Sequence, residues 1–337
     1  MRRFLLHVGF FLMNLLILSN IVAVPIPALD LDKITTDSDL IVIGRVVSIQ
    51  KGQMTQVEVN SQKVNCRITD GVIHIESVLK GTVPSNDVKF RMCVPEEFVG
   101  WRLPSIQTHG AFFFKTSPTG DLEFTSPYNA FLVALATGVP PGSSAIDAVV
   151  AAIGAVLSAP TSTATEKLAA VQSLTRSNSD SSLTALQSAL NSSDAAVRLT
   201  AASGLLVRNN ISGLPPVRDA LSHELDALPP GILTNATYGL AEGLRTPKAV
   251  PYLVELLHSP SPAVRRAAVS GLMHSQSQDA IAPLLSMVED PDEKVRYYSV
   301  VGLAEITGQM EWRPNPDDFA ASGTKYLKHW TEWGQGR

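Results

Sequence analysis

Two stretches decide how this chain folds. Pro262-Ala263-Val264-Arg265-Arg266-Ala267-Ala268-Val269-Ser270-Gly271-Leu272 returns as Glu293-Lys294-Val295-Arg296-Tyr297-Tyr298-Ser299-Val300-Val301-Gly302-Leu303, an offset of 31 residues. Running backwards, the Gly-Leu pair recurs at Gly239-Leu240 and Gly204-Leu205, with gaps of 32 and 35 residues. Self-similarity at this period predicts stacked helical hairpins, each burying its apolar stripe against its neighbours. Aligning the second helix of each unit places Leu174, Leu205, Leu240, Leu272 and Leu303 in equivalent positions. The first helices fall at 183–190, 214–221, 250–257 and 281–288.

The turn inside each unit has its own chemistry. Asp194 precedes Arg198 by four residues, Ser261 precedes Arg265, and Asp292 precedes Arg296. A side-chain oxygen there is expected to cap the second helix by accepting from its unpaired N–H groups. The following cation would pair with that cap or with the next unit's, giving a ladder along the stack. Pro229 and Leu233 replace cap and cation in one unit, so its turn should be less ordered or the stack should bend.

The run "Asp-x-x-Val-Arg-x-x-Ala-x-x-Gly-Leu", read at 292–303 with Ser299 for Ala, at 261–272 with Ser261 for Asp, and with an extra Ala201 at 194–205, resembles the HEAT repeat family. The likeness is to the short bacterial subtype also seen in phycobilisome-lyase-like proteins. It covers about 166–307 and implies an α-solenoid scaffold that binds proteins. Lyase activity does not carry over, because no cysteine lies in the repeats. In this family second helices line the concave side. The side chains expected to face outward there give a candidate binding patch: Tyr238, Arg266, His274, Tyr297 and Glu305. Tyrosine and arginine are enriched where interfaces concentrate their energy.

The N-terminal part reads differently. Strand signals run from the β-branched stretch 40–49 through 54–60, 62–68, 72–79, 88–93, 111–115 and 122–125, with Asn60-Ser61 and Asp70-Gly71 as turns. About seven short strands predict a small barrel or sandwich. The residues 39–46 and the Val-Leu-Lys-Gly turn at 78–81 give a loose resemblance to netrin-module or oligonucleotide-binding-like barrels of secreted proteins. That likeness implies a fold rather than an activity. The expected architecture is α+β in two domains, a β-rich unit at 24–136 and a solenoid at 144–307, joined by a linker at 137–143. An apolar helix at 146–157 forms the seam. Residues 308–337 carry Trp312, Trp330 and Trp333 and read as an aromatic cap on the last repeat, with an aromatic ligand site as the alternative.

Residues 1–23 have the pattern of a secretory signal peptide: Arg2 and Arg3, an apolar run, then Ala23. An uncleaved anchor is the alternative, and no later segment is long and apolar enough to span a bilayer. An exported chain, periplasmic or extracellular, follows. Its two cysteines, Cys66 and Cys93, are then expected to form a disulfide, against the alternative of two buried thiols. Asn191, Asn210 and Asn235 lie in glycosylation sequons. A net charge of −4 argues against nucleic acid. None of the catalytic signatures HExxH, GxSxG, GxGxxG or P-loop occurs, so no catalytic, cofactor or metal residue is assigned. The sequence thus points to a non-enzymatic scaffold that holds a protein or peptide. The alternative makes the β domain an inhibitor-like or enzymatic module that the repeats present, a function that would survive in a 25–139 fragment.

Overall fold

The computed structural model describes residues 28–59, 62–95, 103–138 and 143–336. The expected signal segment, the expected turn at 60–61 and most of the expected linker lie outside these. A nearly closed, barrel-like antiparallel sheet leads into a helical repeat region, the α+β arrangement expected.

The sheet has six strands: β1 (Leu40–Val59), β2 (Gln62–Lys80), β3 (Asp87–Pro95), β4 (His109–Thr116), β5 (Leu122–Phe124) and β6 (Phe131–Leu132). Their order is β3-β2-β1-β4-β5, with β6 also on β4. The end strands approach each other: the Phe90 and Phe124 rings lie 4.8 Å apart, and Arg91 reaches Asp121 at 4.0 Å. Two expectations need correcting here. The run at 40–49 and the described part of 54–60, to Val59, are one long strand, as are 62–68 and 72–79. Asp70-Gly71 is therefore no turn but mid-strand, with Gly71 opposite both Ile49 and Phe90. Glycine is needed there because a Cβ would lie 2.1 Å from the Phe90 ring, which folds over the bare backbone. The irregularity goes instead into four register shifts along the β1–β2 pair, which curl the sheet. Cys66 and Cys93 form a disulfide tying β2 to the end strand β3, with Cα atoms 5.4 Å apart.

Alternation along β1 and β4 divides the residues between two cores. Val42, Val46, Phe112 and Phe114 fill the barrel interior with Phe90 and Phe124. Ile41, Ile43 and Phe113 point the other way and join the helices. That is why 40–43 and 111–114 read as unbroken apolar runs: both faces of the sheet are covered. The covering elements are α1 (Leu31–Asp37) and α2 (Ala145–Ser158), whose Val149 and Ile153 are fully buried in this shared core. Leu135 also donates its N–H to the Ala152 carbonyl at 3.0 Å. Asp32 of α1 accepts from Ser177 Oγ at 2.5 Å and from the Asn178 N–H at 2.7 Å, fastening the lead-in helix to a turn of the stack.

Second helices α3 (Ala164–Leu174), α5 (Ala195–Val207), α7 (Pro230–Tyr238), α9 (Pro262–Ser275) and α11 (Glu293–Thr307) alternate with first helices α4 (Asp180–Ala189), α6 (Leu214–His223), α8 (Val250–Leu256) and α10 (Ile281–Ser286). Leu174, Leu205, Leu240, Leu272 and Leu303 are all fully buried. The glycine before each of the last four has a common reason. A Cβ on Gly204 would meet Thr175 at 2.5 Å, on Gly239 the Ser203 carbonyl at 3.1 Å, on Gly271 the Leu240 carbonyl at 2.7 Å, and on Gly302 the Met273 Cβ at 3.1 Å. Each glycine marks where a second helix meets its predecessor, so the Gly-Leu signature is a contact point repeated layer by layer.

The turns partly follow expectation. Asp194 and Asp292 cap their helices, accepting from Val197 and Val295 N–H, both at 3.1 Å. Ser261 makes no side-chain cap. Pro262 at the first helical position leaves one fewer N–H to satisfy, and the Ser261 carbonyl already accepts from Val264 and Arg265. The cations chiefly serve their own loops. Arg198, Arg265 and Arg296 each donate to the carbonyl six residues back, Ser192, Ser259 and Asp290, at 2.8, 3.0 and 2.8 Å. Only Arg265 of these three also reaches the next layer, forming two bonds to the buried Asp290 carboxylate at 2.8 and 3.0 Å. At Pro229 there is no side-chain cap, and α7 runs into a π-helical turn at Gly239–Gly243. The Ala241 carbonyl in this turn accepts from His274 Nδ1 at 2.6 Å and Ser270 Oγ at 3.2 Å in the next layer.

The last helix, α12 (Pro316–Gln335), bends at Ser322 and lies over the end of the stack, with Trp330 fully buried and Phe319 nearly so. Trp312 stacks on His329 with ring centroids 3.7 Å apart.

Candidate binding groove

The five patch residues do not form one open surface. Arg266 is held by the next layer's cap, donating through Nε to Asp292 at 2.8 Å and through Nη2 to its other oxygen at 2.5 Å. That guanidinium lowers the Asp292 pKa to about 2. His274 is committed to the Ala241 carbonyl. Tyr297 lies edge-on to Phe319 of the terminal helix at 5.4 Å, and burial raises its pKa. Glu305 pairs with Arg313 at 2.7 Å. Helical spacing shows which side a residue faces. It cannot show that the residues following the last repeat, or the next unit's cap, will fold over that side.

Tyr238 is the exception. It is 58% exposed and stands at one end of a groove of about 640 Å³ between the sheet and α3, α5 and α7. Val207, 51% exposed, lies on the helical wall, while Asn129 and Phe131 come from the sheet side. The groove forms because the sheet's β6 end is held over the second helices by the shared core beneath it. Gln172, Asn235 and Asn129 bring amide groups, each offering both donor and acceptor. Arg176 is the one charged residue among the described lining. Thr200 Oγ1 is buried at the groove and has no hydrogen-bond partner among the described residues. Of the groove lining, Tyr238 belonged to the patch expected from the sequence. Gln172 and Arg176 were not singled out, and the wall opposite them comes from a separate part of the chain.

A second polar cluster borders the groove. Arg208 donates to the Leu174 carbonyl at 2.9 Å, to Ser182 Oγ at 3.0 Å and to the Ser177 carbonyl, and burial lowers its pKa. It locks the α3–α4 turn and is structural.

Comparison with known proteins agrees with the helical reading. The family model for HEAT repeats matches residues 219–304. No curated protein sequence matches the chain. Among solved structures, an engineered protein is 20% identical over 49% of this chain and 83% of its own length, with a TM-score of 0.35. YibA of Escherichia coli is 15% identical over 56% of this chain and 89% of its own, with a TM-score of 0.34. The match at 219–304 is to HEAT repeats, and such repeats imply a protein-interaction scaffold and protein partners. The disulfide is compatible with an exported protein, and among the described residues no helix is long and apolar enough to cross a membrane.

Proposed function

We propose that this is an exported, non-enzymatic binding protein that holds an extended segment of a partner protein in the groove between the sheet and α3, α5 and α7. The observation that carries the reading is Tyr238, a large aromatic left 58% exposed beside the exposed Val207 in a concave site. Tyrosine is among the residue types that carry most of an interface's energy. The amide side chains suit the alternating donors and acceptors of an extended backbone. Arg176, with no acid among the described lining residues, favours a segment carrying a carboxylate.

A photo-crosslinking residue at position 172 or 235 of the groove lining, in the organism of origin, should capture one partner that the same residue at Val47 does not. The Tyr238→Ala/Val207→Asp variant should lose that partner with an unchanged melting curve. Undiminished capture by the double variant refutes the groove. Export is checked separately, by the mass of the mature N-terminus and by finding Cys66 and Cys93 oxidised in cells.

A further inference from the structure

The groove does not stop at Val207. A second hollow of about 660 Å³ adjoins it, and Thr175 and Val207 line both. This hollow lies at the edge of the stack, between the turn from α3 to α4 and the turn from α5 to α6. Arg208 braces the first of these turns. Two asparagines brace the second. Asn209 takes a left-handed backbone, φ 55°, and its Oδ1 accepts from the Arg245 N–H at 2.9 Å. Asn210 Oδ1 accepts from the Ser212 N–H at 3.0 Å and from Ser212 Oγ at 2.6 Å. With both oxygens taken, each carboxamide is fixed in orientation and keeps its Nδ2 amino group to donate elsewhere. Neither amino group has a partner among the described residues. The hollow thus offers two oriented donors, which suit the carbonyl oxygens of an extended chain.

The two hollows differ in charge. Arg176 lines the first and Asp180 the second. Both residues are exposed, and neither side chain forms an ion pair or hydrogen bond among the described residues. Residues 24–27 and 139–142, the undescribed stretches that adjoin the groove's lining in sequence, carry no charged side chain. A ligand that answers both hollows carries an acid and a base on one chain, with carbonyl acceptors along it and apolar surface for the exposed Val207. That is the chemistry of a peptide. We propose that the partner segment runs over Val207 from the groove into the second hollow, an inference that rests on the function proposed above. Its backbone carbonyls meet Asn209 and Asn210, a glutamate or aspartate meets Arg176, and a lysine or arginine meets Asp180. Opposite charges placed this way fix the register and direction of the bound segment more than they add affinity.

The test uses the full mature chain and fluorescein-labelled dodecapeptide pools, read by fluorescence anisotropy. Each pool fixes two charged residues several positions apart: Glu then Lys, Lys then Glu, Glu twice, or Lys twice. The remaining positions are a mixture of Ala, Val, Ile, Ser, Thr and Asn. Wild type should bind one mixed-charge order best, above both like-charged pools by about twofold to fivefold, the worth of an exposed ion pair. Arg176→Glu should move the preference to the Lys pool and Asp180→Lys to the Glu pool, each with an unchanged melting curve. The double reversal should prefer the mixed-charge order opposite to that of wild type. If the reversals leave the ranking of pools unchanged while Tyr238→Ala/Val207→Asp still abolishes binding, the groove stands and its continuation is refuted. If Tyr238→Ala/Val207→Asp binds the pools as wild type does, the groove reading fails as well. Absence of saturable binding by every pool overturns the continuation, and partner capture from positions 172 and 235 then decides the groove separately.

Discussion

Replacing Gly271 with alanine tests the packing account of the repeat signature. The added methyl would lie 2.7 Å from the Leu240 carbonyl oxygen and 3.0 and 3.1 Å from the Leu253 methyls. A carbon and a carbonyl oxygen settle near 3.3–3.6 Å, so α9 must retreat from the π-helical turn by more than half an ångström. The opposing atom is backbone and cannot rotate away. Overpacking of this kind costs about 1–3 kcal/mol, and the better helix propensity of alanine returns up to about 1 kcal/mol. The net expectation is a loss of about 1–2 kcal/mol. Gly154 provides the matched control. It lies within the 14-residue α2, and nothing comes within 4 Å of the place its methyl would take, so Gly154→Ala should gain about 0.5–1 kcal/mol from propensity alone. Urea unfolding followed by far-ultraviolet circular dichroism would place the two variants on opposite sides of wild type, with similar slopes. If Gly271→Ala proved as stable as Gly154→Ala, the close-contact explanation of the Gly-Leu repeat would fail.

Other outcomes follow from the same contacts. Asp290→Ala should destabilise by about 3–5 kcal/mol, because it strands the nearly buried Arg265 guanidinium, whereas Arg265→Met/Asp290→Leu should restore most of that loss; urea midpoints read the difference. Asp292 is held to about pH 2 by Arg266, so its stabilisation is complete above its unfolded pKa near 4 and lost as pH falls from about 4 through 2. Asp292→Asn should remove roughly 1–2 kcal/mol at pH 7, after discounting for the partly exposed arginine, and flatten the melting temperature between pH 4 and 2. Reducing the Cys66–Cys93 bond, which spans 27 residues, should cost roughly 3–4 kcal/mol by chain entropy, read as a lower urea midpoint.

The repeat half was legible because its signals are local. A period near 31–35 residues, the Gly-Leu pairs and the buried leucines each require only a neighbour of the same kind. The strands were legible as strands, but Asp70-Gly71 was misread because a turn dipeptide and a glycine beneath a folded-over Phe90 look alike without the partner strand. Caps were read correctly at Asp194 and Asp292, where the carboxylate acts within four residues, and wrongly at Ser261, where proline had already removed part of the demand. The groove was half visible. Tyr238 was in the expected patch, but its opposite wall arrives from the sheet, over seventy residues away along the chain. Nothing in the spacing of Arg266 or Glu305 announced Asp292 or Arg313 as a partner.

The shared core of sheet, α1 and α2 makes the first layer of the stack something other than a repeat. A 25–139 fragment would keep α1 but strip Ile41, Ile43 and Phe113 of the cover from α2, and a helical fragment would bare Val149 and Ile153. At the far side α12 seals the last layer with Trp330. A tandem array lengthens by duplicating a unit whose two faces match; here both outermost faces are cut to fit a unique neighbour. Growth or shrinkage is therefore confined to the interior layers, and any such event would change the reach of the helical arm while leaving the groove's two walls, both anchored at the sheet end, in register.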